Sequence, residues 1–208
     1  VFRSNLAIDK TIPFGIVATV EGIFSKTLNN INFINLNRKV DQNFTFTGVD
    51  KRPRYVTGRI DPNFEEIIKL ENTNEGYSYN FVAQLQKDFE SGFNTMVAYT
   101  YGRSFDLNSG TSSVAYSNWR YVNNVNGLNN LELSPSNFDL GSRIIGLVGY
   151  KFKYLNDMAS THVSLFYNGQ SGQTISYIYN GDMNNDATTN DLIYIPKQMS
   201  DINLVTVK

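Results

Sequence analysis

The chain has 208 residues, 18 Lys+Arg against 19 Asp+Glu, a single His and no Cys. This excludes a disulfide scaffold, a thiol nucleophile, an Fe–S cluster and a cysteine zinc site, and the near-neutral balance argues against a nucleic-acid footprint, which needs a basic face. The chain is rich instead in Tyr (13), Phe (14) and Asn (27), a mixture suited to alternating strands joined by many turns.

The first residues, Val1 to Leu6, hold no initiator Met, basic region or apolar core of the kind that marks a signal peptide. The last, Asn203 to Lys208, hold no cap or polar tail. The expectation is an internal fragment of a longer protein. No apolar run approaches the roughly 20 residues that a transmembrane helix requires.

From Phe14 to Phe24, one face carries Phe14, Ile16, Ala18, Val20, Gly22 and Phe24, with Thr19, Glu21 and Ser25 opposite. Asn29 and Asn30 offer turn chemistry, so a hairpin with Ile31 to Leu36 is predicted. Tyr55 to Ile60 and Glu66 to Glu71 read as weaker strands. From Tyr77 to Phe89 the odd positions are Tyr, Tyr, Phe, Ala, Leu, Lys and Phe, and the even ones are nearly all polar. That is the period of a strand with one dry and one wet side. Ser91 and Gly92 turn the chain into Phe93 to Arg103, where Val97, Tyr99 and Tyr101 continue the apolar face, making a long β-hairpin.

A polar stretch, Asp106 to Asp139, follows, with one helical turn predicted over Ser112 to Arg120. Alternation resumes from Ile144 to Tyr154 (Val148, Tyr150 and Phe152 against Lys151 and Lys153). Leu155 to Asp157 turn into Thr161 to Gly169, where Val163, Leu165 and Tyr167 oppose His162, Ser164 and Asn168. A second polar stretch, Gly169 to Asp191, is flanked by weak strands at Thr174 to Tyr179 and Leu192 to Ile195. Tight turns therefore gather at one end of the strands and long loops at the other.

Two architectures fit. A soluble β-sandwich turns the apolar face inward. An outer-membrane barrel turns it outward to lipid, with aromatic girdles, short periplasmic turns and long extracellular loops. Tyr77 and Tyr79 at one end of the hairpin, and Phe89 and Phe93 at the other, fit girdles at both rims. Strand length also favours the barrel: Tyr77 to Phe89 at about 3.3 Å per residue spans roughly 43 Å, whereas soluble strands average about 5–6 residues. The predicted fold is all-β: an antiparallel meander of long hairpins, a segment of a large outer-membrane β-barrel with long loops. The alternative is a secreted sandwich that binds carbohydrate or acts as an adhesin.

The order of several elements carries a resemblance. These are Ser117-Asn118-Trp119-Arg120, Val125 to Asn130, Ser134 to Arg143, Ser164 to Gly172, Asn180-Gly181-Asp182, and Asn190 to Pro196. Together, over about residues 75–200, they resemble the barrel region of TonB-dependent outer-membrane receptors of the Oar-like subgroup, whose parents carry an N-terminal carboxypeptidase-regulatory-like domain. The resemblance implies a barrel of about 22 strands closed by a plug, set in outer-membrane lipid and importing a bulky ligand with energy from the TonB complex. Residues 1–208 would be a partial barrel region, without plug or closing C-terminal strand, and its unpaired edge strands would associate with one another. Residues 1–74 share only general barrel character.

Two loop clusters invite functional readings. Asp182, Asn184, Asp186, Thr188 and Asn190 place oxygens at alternate positions, with Asp191 beside them, as an EF-hand-like Ca²⁺ loop begins. Ala187 stands where such a loop has Gly, and the twelfth position is Ile193 in place of Glu. The other reading is a polar extracellular turn. Tyr116, Trp119, Arg120 and Tyr121 combine aromatics with a cation, which can hold a sugar or peptide by stacking. They can equally pack the loop onto the rim, and the resemblance places the Trp-Arg pair in the shared framework. His162 sits on a polar strand face, a lumen-lining position. No acid, base and nucleophile set converges and no phosphate-loop or nucleophile-elbow motif occurs, so no enzymatic activity is expected.

Overall fold

The computed structural model describes residues 1–44, 46–156 and 158–196. Its contacts divide the chain into two units: residues 1–29, 74–106 and 134–174 form one, and residues 30–73, 107–133 and 175–208 the other.

The first unit is one antiparallel sheet. Its strands are β1 (Phe2–Ile12), β2 (Ile16–Lys26), β5 (Tyr77–Asp88), β6 (Phe93–Asp106), β8 (Gly141–Tyr154) and β9 (Ala159–Gln170), hydrogen-bonded in that order, with the two-residue β7 (Ser134–Pro135) pairing to the end of β6. The alternation of the sequence fixes which side chains share a face, because successive residues point to opposite sides of a pleat. Register then lines up one row of Ile8, Val20, Ala83, Tyr99, Ile144 and Gly169. The neighbouring row, on the other face, is Asp9, Thr19, Gln84, Ala98, Ile145 and Asn168.

The apolar face is not packed away: Phe81 is 58% exposed and Leu165 74%. The polar face is knit by its own side chains. Asn5 Nδ2 donates to Glu21 Oε1 at 2.7 Å, Thr19 Oγ1 to Asp9 Oδ1 at 2.5 Å and Arg143 Nε to Asn168 Oδ1 at 2.9 Å. His162 lies on this face opposite Lys151, its Nε2 3.4 Å from Asn94 Nδ2. Aromatic pairs mark both ends of the strands. Tyr77 and Phe105 stand 5.0 Å apart between ring centres at one end, Phe89 and Phe93 5.4 Å and Tyr150 and Phe152 4.6 Å at the other. Among the described residues no helix is long and apolar enough to cross a membrane.

Connections at one end of the sheet are short. Pro13–Gly15 joins β1 to β2, with Phe14 and Gly15 both at positive φ. Phe89 to Gly92 joins β5 to β6, and there Gly92 (φ +88°) lies so close to the Lys151 carbonyl that a Cβ would stand 2.8 Å from it. Leu155 and Asn156, at φ 54° and 52°, begin the turn from β8 to β9; the third predicted turn residue, Asp157, is outside the described residues. The residues that follow β2, β6 and β9, three strands that run in the same direction, supply the segments of the second unit.

That unit contains a two-stranded sheet of β3 (Asn30–Asn35) and β4 (Ile68–Thr73), and one short helix, α1 (Ala115–Arg120). Its apolar core is small: Phe33, Trp119 and Leu128, with Ile68, Ala115, Tyr116 and Val122 packed against them. Polar side chains do most of the filling. Asn35, Asn37, Asn184, Asp186, Thr188 and Asp191 are each among the most completely buried residues, which is tolerable only because nearly every polar atom is hydrogen-bonded.

Three expectations change. The hairpin joining Phe14–Phe24 to Ile31–Leu36 does not form: β2 pairs with β1 and β5, and β3 pairs with β4. The Asn29–Asn30 step leaves the sheet, and Thr27 N instead bonds Gly76 O at 3.0 Å. An N-terminal strand, β1, appears where none was expected; Arg3, Asn5 and Asp9 interrupt its apolar run, but they lie on the polar face. Tyr55–Ile60, Thr174–Tyr179 and Leu192–Ile195 are not strands but loop segments touching at the isolated bridges Val40–Tyr55 and Ile178–Leu192. The expectation made for Asn203 to Lys208 lies outside the described residues.

Candidate functional site in the loop unit

The unit is organised by side-chain amides that imitate backbone. Asn129 Oδ1 accepts from Asn35 N at 2.8 Å, and its Nδ2 donates to Asn35 O at 2.8 Å, so one side chain extends β3 as a strand would. The same Oδ1 accepts from Trp119 Nε1 at 3.0 Å. Asn37 pins the distant turn at Asp61 to Phe64, accepting from Asp61 N at 2.8 Å and donating to Phe64 O at 2.8 Å. Arg38 grips Glu66 with two guanidinium nitrogens. That bond, ahead of the opposing cost of burial, raises the Arg38 pKa above its ordinary value.

The loop from Asp182 to Asp191 is wound on its own carboxylates. Asp182 Oδ1 and Oδ2 accept from the N–H groups of Asp186 (3.1 Å) and Ala187 (2.8 Å). Asp186 Oδ1 accepts from Thr188 N (2.9 Å) and Thr188 Oγ1 (2.6 Å), and its Oδ2 from Asn184 Nδ2 (3.2 Å). Asp191 Oδ2 closes the ring by accepting from Met183 N at 2.9 Å and from Asn184 N at 3.4 Å. Asn185 and Ala187 adopt φ of 65° and 68° to make these bonds.

Burial pushes the Asp186 carboxyl above its ordinary range, against the lowering hydrogen bonds from Thr188 and Asn184. Burial does the same to Asp191, opposed by the Met183 and Asn184 N–H groups and by the Arg52 charge. Tyr55 bonds this loop through its backbone, with Tyr55 N donating to Asn184 O at 2.7 Å. Its phenol, buried and then further disfavoured from ionising by Asp186, is pushed up to about 12.

The two clusters singled out by sequence meet. Asn190 Nδ2 donates to Arg120 O at 2.7 Å and to Val122 O at 2.5 Å. Of the aromatic group, Trp119 is 2% exposed and stacked on Tyr116 at 5.9 Å, so its indole is a core element. Arg120 lies over both Tyr116 and Tyr121, and Tyr121 remains 75% exposed. Sequence reading missed Arg52, Tyr55, Asn124 and Asn129. None has a periodic signature, and each reaches its partner across the chain: Arg52 Nη2 donates to Leu192 O at 2.6 Å, and Asn124 forms a parallel bridge with Asp191.

Among the described residues no group of three or more His, Cys, Asp and Glu side chains is placed to hold a metal ion. The loop's oxygens are two buried carboxylates together with amides and a hydroxyl.

No curated protein and no solved structure matches the chain. A family model described as an outer membrane beta barrel domain matches residues 2–203. With long antiparallel strands, an exposed apolar face and aromatic pairs at both strand ends already in place, the chain belongs to that outer membrane beta barrel family, and its place is the outer membrane.

Proposed function

We propose that the chain is the wall and loop portion of a TonB-dependent receptor of the Oar-like kind, one that binds a bulky ligand at its loops and admits it when TonB displaces a plug. The observation that carries this reading is the sorting of connections. All three long segments follow strands running in one direction, and they fold among themselves into a unit with its own core. A wall that only encloses a passive pore has no need of such a structure, whereas a receptor must present a shaped surface for its ligand. The ordered motifs from Trp119-Arg120 to Asn190–Pro196 support the same reading through the resemblance. Tyr121 and Arg120 are the best placed to touch a ligand, since Trp119 is occupied by the core.

The chain supplies no chemistry in this reading. Its partners are outer-membrane lipid along the Phe81, Leu85, Val97 and Tyr99 face, the TonB complex through other parts of the receptor, and strand neighbours along β1 and β9. Planar-bilayer recording on the intact receptor tests it. A plugged barrel gives no steady current until denaturant displaces the plug, and the purified receptor retains the periplasmic domain of TonB. A steady open pore with no TonB binding would reject import.

A further inference from the structure

The Asp182–Asp191 loop holds more negative charge than its surroundings answer. Asp182, Asp186 and Asp191 lie within ten residues, and Asp191 is the one that faces Arg52, whose Nε is already 2.9 Å from Asp50 Oδ2. Asp191 is 0% exposed, yet its Oδ1 has no hydrogen-bond partner. Arg52 Nη1 forms its ion pair with that oxygen at 3.5 Å, too long for a good hydrogen bond, and makes no hydrogen bond of its own. A buried carboxylate oxygen left unpaired is costly, and it is the kind of group that a hard cation satisfies.

We infer that this loop binds a Ca²⁺-type divalent cation through the Asp186 and Asp191 carboxylates and the Asn184 and Asn190 amide oxygens. The donor set is all oxygen, as a hard ion requires. The amide oxygens are held in place at both ends: Asn184 Oδ1 accepts from Asp186 N at 3.0 Å and Asn190 Oδ1 from Thr188 Oγ1, each with a lone pair to spare, while Asn184 Nδ2 donates to Asp186 and Asn190 Nδ2 to the Arg120 and Val122 carbonyls. Asp182 shapes the ring by capping the Asp186 and Ala187 N–H groups. Ala187, at φ 68°, takes the left-handed conformation that the sixth position of such loops demands, despite its Cβ. The cation would tie the loop to the Arg120–Val122 segment through Asn190 and so set the pose of Arg120 and Tyr121. This inference stands apart from import, since any barrel with this loop would show it.

The test is calorimetric titration of the protein in detergent with Ca²⁺ alone, alongside Tb³⁺ luminescence sensitised by nearby tyrosines. Expected are one saturable site and Tb³⁺ emission that Ca²⁺ competes away more readily than Mg²⁺ does. Asp186→Asn, which keeps the size and most hydrogen bonds of the side chain, should weaken binding about tenfold or more, because affinity in such loops follows ligand charge. Trp119 emission should stay unchanged, showing the unit still folded. No heat at millimolar Ca²⁺, or equal binding by the wild type and Asp186→Asn, would overturn the site whether or not the receptor imports anything.

Discussion

Arg52 Nη1 and Asp191 Oδ1 face each other at 3.5 Å with both side chains wholly out of solvent, and the same guanidinium reaches Asp50 and the Leu192 carbonyl. One side chain thus ties residues 50–52 to residues 191–192. Replacing it with Met removes the charge and leaves Asp191 buried without a cation, a change that costs about 3–5 kcal/mol when one partner of a buried pair is lost. Hydrogen exchange in chelator is expected to show residues 182–192 opening in Arg52→Met, while the β5 and β6 amides keep their protection.

Trp119 is the one Trp of the chain, and it sits against Phe33 and Leu128. Its emission should be blue-shifted and poorly quenched by acrylamide. Leu128→Ala should cost about 2–5 kcal/mol through lost burial and a cavity, read as a red shift and a lower urea midpoint of the Trp119 signal.

On the polar face of β5 and β6, Asn80 lies directly opposite Gly102, and a Cβ on Gly102 would stand 2.0 Å from Asn80 Oδ1. Gly102→Ala must swing that amide out of its present rotamer, at a cost of about 0.5–1.5 kcal/mol. Adding Asn80→Ala should return much of the loss, and a double-mutant cycle on urea midpoints in detergent measures the coupling. Additive effects would show that the two side chains do not meet.

Leu85 and Gln84 are neighbours that point to opposite faces of β5. Leu85→Arg puts a charge on the apolar face and should lower stability in vesicles by about 2–4 kcal/mol where it meets mid-bilayer. Gln84→Arg should be nearly neutral. Folding yield by heat-modifiable gel migration separates the two, and equal yields would argue against lipid on that face.

The strands were legible wherever one face is uniformly apolar. Tyr77–Asp88 and Phe93–Asp106 have their expected partners and nearly their expected bounds, because a register slip of one residue would put Phe81 and Leu85 on the wrong side. Strand β1 escaped notice because Asn5, Asp9 and Lys10 break its hydrophobic run, although Asn5 and Asp9 find Glu21 and Thr19 across the pair. The loop unit was hardest to read. Alternating oxygens from Asp182 to Asn190 are visible in the sequence, but Arg52, Tyr55 and Asn129 act through partners far along the chain, and local pattern carries no trace of such pairings. The short helix at Ala115–Arg120 was anticipated; that its Trp119 belongs to a core depended on Phe33 and Leu128, which no periodicity connects to it.

Those long-range pairings have a kinetic meaning. Asn35 meets Asn129 across 94 positions, and Arg52 meets Leu192 across 140, while β5 and β6 close over a turn of a few residues. Loop-closure entropy must be met before such distant contacts reward it. The hairpins can therefore zip as soon as their residues are available, but the polar core of the loop unit has to wait for residue 192. A chain cut after Thr174 would keep every strand pairing of the large sheet, while Arg52 would lose Asp191 and the Leu192 carbonyl and keep only Asp50, and the Tyr55 backbone would lose Asn184 and Asn185. By loop-closure entropy the large sheet can form ahead of the polar core of the loop unit.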